Sequence, residues 1–180
     1  DIYEVTKGSR PWFVIDPADG KIPAVLPEAR ARVQDQGRAG SFGSGPFNGP
    51  EDFSLWERCI TRGLPGSMLP GVYGNSYQIV QAPGFVVIRY EMVHETRVIP
   101  LDGRANLGQA LRFDVGSARG HWEGDTLVVE TTNFKQRSVY RNANADRLRL
   151  VERFRRTSFD RVEWTVTVDD PSTWARPWTF

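Results

Sequence analysis

The sequence predicts a mainly β fold: an antiparallel meander closing into a lipocalin-like β-barrel, with an N-terminal arm and one or two short helices. Three observations lead there. From Tyr77 onward, apolar and polar residues alternate with period two. Turn residues recur between the alternating runs at even spacing, as they do in barrels and sandwiches. Only closure removes both edges of such a sheet, which favours the barrel over the sandwich. Residues 1–50 read as the extended arm and residues 51–180 as the barrel domain.

In the arm, Asp16, Pro17, Asp19 and Gly20 make a turn by composition. Pro27 stands at a first helical position with Glu28 in the first turn, so a short helix follows to Val33. Residues 37–49 are rich in Gly, Ser, Pro and Asn and read as a loop. Pro50, Glu51 and Asp52 repeat the helix-start pattern, and Phe53, Trp56 and Ile60 suit one helical face. The rigid stretch from Arg62 to Pro70 leads to Tyr73, Asn75 and Tyr77. It can roof a pocket or plug one barrel end.

The strands follow. Residues 78–81 form one, and Ala82, Pro83 and Gly84 turn the chain. Residues 85–92 form the next, with Val86, Ile88, Tyr90 and Met92 on one face. Residues 97–101 are a strand closed by Asp102 and Gly103, and a looser stretch runs to Arg119. Strands at 120–123 and 126–132 flank the Gly124–Asp125 turn, and strands at 147–157 and 161–169 flank Ser158, Phe159 and Asp160. Beyond Asp169 the strand ends, and Trp174 and Trp178 are expected to pack on the barrel exterior or the arm.

Composition narrows the function classes. The 23 basic and 22 acidic residues leave a net charge of +1, giving no global electrostatic case for nucleic acid or an anionic membrane. No apolar run approaches the ~20 residues of a membrane helix. Only Lys7, Lys21 and Lys135 are lysines, so arginine supplies nearly all the basic charge. That bias suits buried ion pairs and carboxylate recognition. Cys59 is the single cysteine; its apolar neighbourhood predicts a buried, inert thiol, and a partner outside these residues is the alternative. A start at Asp1 without methionine reads as a processed or trimmed chain, and the apolar end at Trp178 and Phe180 as one that continues further. There is no dinucleotide or P-loop glycine pattern, so no cofactor is expected.

The two histidines carry the functional reading, because each sits among carboxylates. Glu91, His94 and Arg97 recur every three residues, which one strand face cannot accommodate without a break. A turn at residues 93–95 would set Glu91 and Arg97 face to face on paired strands with His94 at the rim. A decorative salt bridge on a hairpin is the competing structural reading. His121 and Glu123 share a face by alternation, while Trp122 points the other way, into the core. Asp125 reads as a turn cap rather than an acid. Glu152 has the parity of Leu148, Leu150 and Phe154, so it points to the apolar side. A carboxylate there needs a partner or must be protonated. Arg97 or another arginine can satisfy it, and a buried structural pair competes with a functional role.

Three chemistries fit this set. The first is cofactor-independent lyase or isomerase chemistry on a small aromatic or sugar-derived compound. His94 is then the acid or base, Glu91 its orienting carboxylate and Arg97 the anion stabiliser, with His121 and Glu123 as the second proton-transfer pair. Tyr73, Tyr90, Glu152 and Arg62 are the candidate substrate-binding residues. The second is non-catalytic binding of a small molecule in the barrel. The third is a metal-dependent hydrolase using His94, His121 and a glutamate. Nucleophilic catalysis lacks a Gly-x-Ser-x-Gly elbow. The expected partner is a small ligand or substrate, with self-association into a homo-oligomer left open.

Several stretches occur in a familiar order: residues 55–59, residues 62–65, the Glu91, His94, Arg97 triplet with residues 99–103, residues 120–129, and residues 169–178. Together they resemble a large family of uncharacterised exported bacterial proteins, common in soil and environmental genomes. The resemblance covers roughly residues 50–180. It implies a periplasmic or secreted protein whose relatives begin with an export signal and continue past this chain's end. Those relatives carry a further cysteine, which the resemblance makes the partner of Cys59. It implies no activity and no catalytic residues.

Overall fold

The computed structural model describes residues 12–34 and 46–180. Eight strands build two antiparallel sheets. The first holds β1 (Tyr77–Ala82), β2 (Phe85–Tyr90) and β3 (Thr96–Pro100). The second holds β4 (Ser117–Glu123), β5 (Thr126–Thr132), β6 (Arg149–Ser158), β7 (Arg161–Asp169) and β8 (Trp178–Thr179). Each sheet runs in sequence order. The mainly β, antiparallel meander is therefore present, but among the described residues no ladder joins the two sheets and the expected closed barrel is not found. The physical reason lies between β3 and β4. The long stretch from residue 101 to residue 116 carries the chain from one sheet to the other, and β3 meets β4 through side chains.

Period two explains the packing. Val86, Ile88 and Tyr90 from β2 and Ile99 from β3 are buried, as are Leu127 and Val129 from β5, Leu150 and Phe154 from β6, and Val166 and Val168 from β7. Register aligns them into rows, such as Val129 opposite Glu152 and Glu152 opposite Val166. One apolar core lies between the two inner faces. Gly120 marks the closest approach of the sheets. A Cβ there would sit 2.8 Å from Ile99 Cγ2 and 2.8 Å from Leu101 Cδ2, so only glycine fits.

The described part of the arm lies along the C-terminal segment. Ile15 N–H donates to the Thr179 carbonyl at 2.8 Å, Thr179 N–H to Asp16 O at 2.7 Å, and Leu26 N–H to Thr173 O at 2.9 Å. The expected helix appears as a 3₁₀ turn, Pro27–Ala29, running into α1 (Arg30–Gln34). Arg32 ties α1 to the body through Asn142 O at 3.1 Å and Thr173 Oγ1 at 2.6 Å. The loop expected at residues 37–49 lies outside the described residues up to residue 45.

Four expectations are corrected here. The helix expected after Pro50 is one 3₁₀ turn, Pro50–Asp52. Ser54 and Glu57 do cap each other reciprocally, but the backbone turns left-handed at Cys59 (φ 54°) and no longer helix propagates. The Cys59 thiol is exposed rather than buried, because that reversal turns it away from the apolar neighbours. Trp122 has the inner-face parity but is 45% exposed, since it sits at the end of its row. Trp174 and Trp178 are buried in the core rather than on the exterior; Trp178 belongs to β8, which completes the second sheet, and Trp174 also bridges to Val25 of the arm.

Replacing Gly120 by Val is expected to lower stability by roughly 1–3 kcal/mol through overpacking between the sheets. Gly108→Ala, where nothing lies within 4 Å of an added Cβ, should stay within about 0.5 kcal/mol. Urea unfolding of the two variants measures the contrast.

Candidate functional site

Arg97 and Glu152 meet where the two sheets face each other. Arg97 stands on β3 opposite Ile88, and Glu152 on β6 opposite Val129. Both are buried, Arg97 3% and Glu152 0% exposed. The contact is bidentate, Nη1 to Oε1 at 3.1 Å and Nη2 to Oε2 at 2.6 Å. Arg97 also donates to Tyr90 Oη (3.2 Å) and Thr131 Oγ1 (3.1 Å), and Trp164 Nε1 donates to Glu152 (3.3 Å). Arg97 Nε is buried with no acceptor among the described residues. Burial opposes the guanidinium's charge, but Glu152 and Tyr90 outweigh it and hold the pKa above its ordinary value. Burial also pushes the Tyr90 hydroxyl up to about 12, with Arg97 pulling the other way. Both remain protonated across the neutral range, so this cluster binds and ties rather than moves protons.

The sequence-predicted Glu91–Arg97 pair does not form. Glu91 is exposed and accepts the Ser76 N–H at 3.1 Å, while Arg97 points inward to Glu152. The chain break expected at residues 93–95 is present: Val93 (φ 63°) and His94 (φ 54°) are left-handed, and Tyr90 N–H donates to Glu95 O at 2.9 Å across the turn. A β-branched residue in that region is strained. His94 is exposed at the rim. Its Nδ1 lies 3.0 Å from the Glu91 carbonyl, which can only accept, so Nδ1 carries the proton of that contact.

His121 and Glu123 do share a face, the outer one of the second sheet. His121 Nε2 lies 3.2 Å from Glu123 Oε1, and Arg153 donates to Glu123 Oε2 at 2.7 Å. Arg153 and His121 together hold the Glu123 carboxyl below its usual range. Glu152 and Arg97 lie on the opposite side of this sheet, so the structure does not bring His121 and Glu123 to the Arg97 cluster. No hydrogen bond joins His94 to His121 either, among the described residues. Nor does any group of three or more His, Cys, Asp or Glu there suit a metal ion.

Arg62 and Tyr73 belong to a third place. A cleft of about 390 Å³ opens between residues 54–66 and residues 137–142. Gly63 sets its width: its φ is +69°, and an added Cβ would meet the Ser138 carbonyl at 3.1 Å. Thr61 is fixed behind the cleft by its bond to Glu95 at 2.8 Å and by the Gly63 N–H. Burial raises the Glu95 pKa, opposed by the Thr61 and Ser67 hydroxyls. Arg62 stacks 4.5 Å above Trp56, and Tyr73 packs against the same indole at 6.2 Å. Facing them are Arg137, Tyr140 and Arg141. Arg137 is bound to Asp114, whose carboxyl Arg137 and Lys135 hold down at about 2. Arg141 is left-handed (φ 50°) and lies over the Tyr140 ring at 5.6 Å. Arg62 and Arg141 have no carboxylate partner among the described residues.

Sequence reasoning singled out Arg62 but missed Trp56, Arg137 and Arg141. The spacing of Arg137 and Arg141 in a polar stretch was the available signal; the left-handed turn that aims Arg141 was not readable.

Fold and site define a small two-sheet antiparallel β protein with a buried Arg–Glu tie and an arginine-lined cleft. No family model, no curated protein and no solved structure matches the chain. No helix among the described residues is long and apolar enough to cross a membrane.

Arg97→Ala is expected to cost about 3–5 kcal/mol, because Glu152 stays buried without its counter-charge. Arg97→Met with Glu152→Leu should recover most of that loss. Denaturant unfolding reads both, and a loss below about 1 kcal/mol for Arg97→Ala would contradict the tie.

Proposed function

We propose that this chain is a small-ligand-binding β protein that holds an acidic molecule with a planar apolar part between residues 54–66 and 137–142. The observation that carries the reading is the convergence of Arg62, Arg137 and Arg141 on one cleft, two of them without a carboxylate partner among the described residues. Guanidinium groups bind carboxylates through paired N–H donors, and the rings of Trp56 and Tyr140 line the same cleft. A cleft of this size suits a small molecule. The export implied by the family resemblance would place this binding in the periplasm or outside the cell.

The lyase or isomerase chemistry expected from the histidines needs one cavity that His94 and His121 share. Neither residue lines the arginine cleft, which puts binding ahead of acid–base turnover.

Calorimetric titration with benzoate and phthalate tests the proposal. Saturable 1:1 binding is expected for at least one of them. Arg62→Gln and Arg141→Gln should each weaken it about 10–100-fold, the loss of one charge-assisted hydrogen bond of ~1.5–3 kcal/mol. His94→Ala and His121→Ala should leave it unchanged. Equal affinity in the arginine double variant and the wild type would overturn the assignment. So would turnover of the bound acid that depends on His94.

A further inference from the structure

We infer that the open end of the two-sheet sandwich is a second binding site, one for an apolar or aromatic molecule carrying a single acidic group. A cleft of about 420 Å³ lies there between the inner faces of both sheets. Its floor is core: Val86 and Ile88 from β2, Leu127 from β5 and Phe154 from β6. Its rim is largely apolar yet open, with Ile79 44%, Trp122 45% and Val162 54% exposed, and Gln81, Asp125 and Arg156 are its polar members.

Trp122 shows why the cleft is a site rather than a packing fault. Register places Trp122, Leu127, Phe154 and Trp164 in one inner row. Leu127 and Phe154 are covered by the first sheet, while the Trp122 indole stands half-open beside the void. Covering apolar surface left open on an inner face is favourable, because it removes that surface from water.

Arg156 supplies the charge. Strand β6 carries four arginines, and three have carboxylate partners: Arg149 with Glu130, Arg153 with Glu123 and Arg155 with Asp125. Arg156 alone, at the cleft, bonds only to carbonyls, those of Ser158 (3.0 Å) and Phe159 (2.7 Å), through Nε and Nη2. It lies over the Phe159 ring at 5.4 Å, and its Nη1 and its charge have no hydrogen-bond or carboxylate partner among the described residues. The site therefore combines an apolar body of small-molecule size with the Arg156 cation at the mouth, where the one carboxylate, Asp125, is engaged by Arg155. It shares no residue with the arginine cleft, so it stands or falls independently of the function proposed above.

Fluorescence titration of the full chain with two naphthalene probes tests this. One is the anionic 8-anilinonaphthalene-1-sulfonate; the other is the neutral N-phenyl-1-naphthylamine. With near-UV circular dichroism unchanged, one saturable site is expected at which the two probes compete. Ile79→Glu with Val162→Glu, both exposed positions, should weaken both probes at least tenfold. Arg156→Gln should weaken the anionic probe about three- to tenfold and leave the neutral one unchanged. Arg62→Gln with Arg141→Gln should change neither. Absence of saturable binding by both probes would overturn the inference, as would binding lost in the Arg62/Arg141 variant but kept in the rim variant. An equal effect of Arg156→Gln on the two probes would remove the acidic group from the ligand class.

Discussion

The Arg97–Glu152 ion pair is the constraint on which the rest depends. Two sheets without a shared ladder have only side chains to hold their inner faces in register. Most of that contact is apolar and tolerates sliding, because dispersion and burial are non-directional. A bidentate guanidinium–carboxylate contact does not tolerate sliding. It fixes β3 over β6, with Tyr90 and Thr131 accepting further bonds from Arg97 and Trp164 donating to Glu152. Removing two charges from water is costly, so the pair offers positional specificity more than net stability. Gly120 complements it from β4, letting Ile99 and Leu101 come close enough for the bond to span the interface.

Much of this was legible in the chain, and what was not has a physical cause. Alternation located seven of the eight strands, because each sheet has one buried and one open face. The same parity marked Glu152 as a carboxylate on the apolar side. It could not choose its partner with certainty, since Arg97 lies 55 residues away and strand parity carries no information about which sheets face each other. Alternation also gives a side and not its coverage, which is why Trp122 points inward and is still half-open. The short segment after Pro50 had a helix start, a cap and apolar spacing, yet the extended Phe53 ended it after one 3₁₀ turn. Closure failed as an expectation because the long connection between β3 and β4 leaves their ladder unmade.

The two histidines led the reading of the chain toward proton transfer. In the fold they occupy separate surfaces, His94 at a strained turn and His121 on the outer face of the second sheet. Arginine proves the more informative residue type. Arginines paired with a carboxylate hold loops and strands or tie the sheets, and of those without one among the described residues, Arg62 and Arg141 line one cleft and Arg156 another. Where a planar cation without a carboxylate partner lines a cleft, an acidic ligand can take that partner's place.

Amide hydrogen exchange on a Glu152→Gln variant tests the central claim most directly. If the buried pair makes the two sheets one cooperative unit, protection should fall together in β2 (Phe85–Tyr90) and β6 (Arg149–Ser158), although only β6 carries the substitution. Protection lost in β6 alone, with β2 exchanging as in the wild type, would contradict the account.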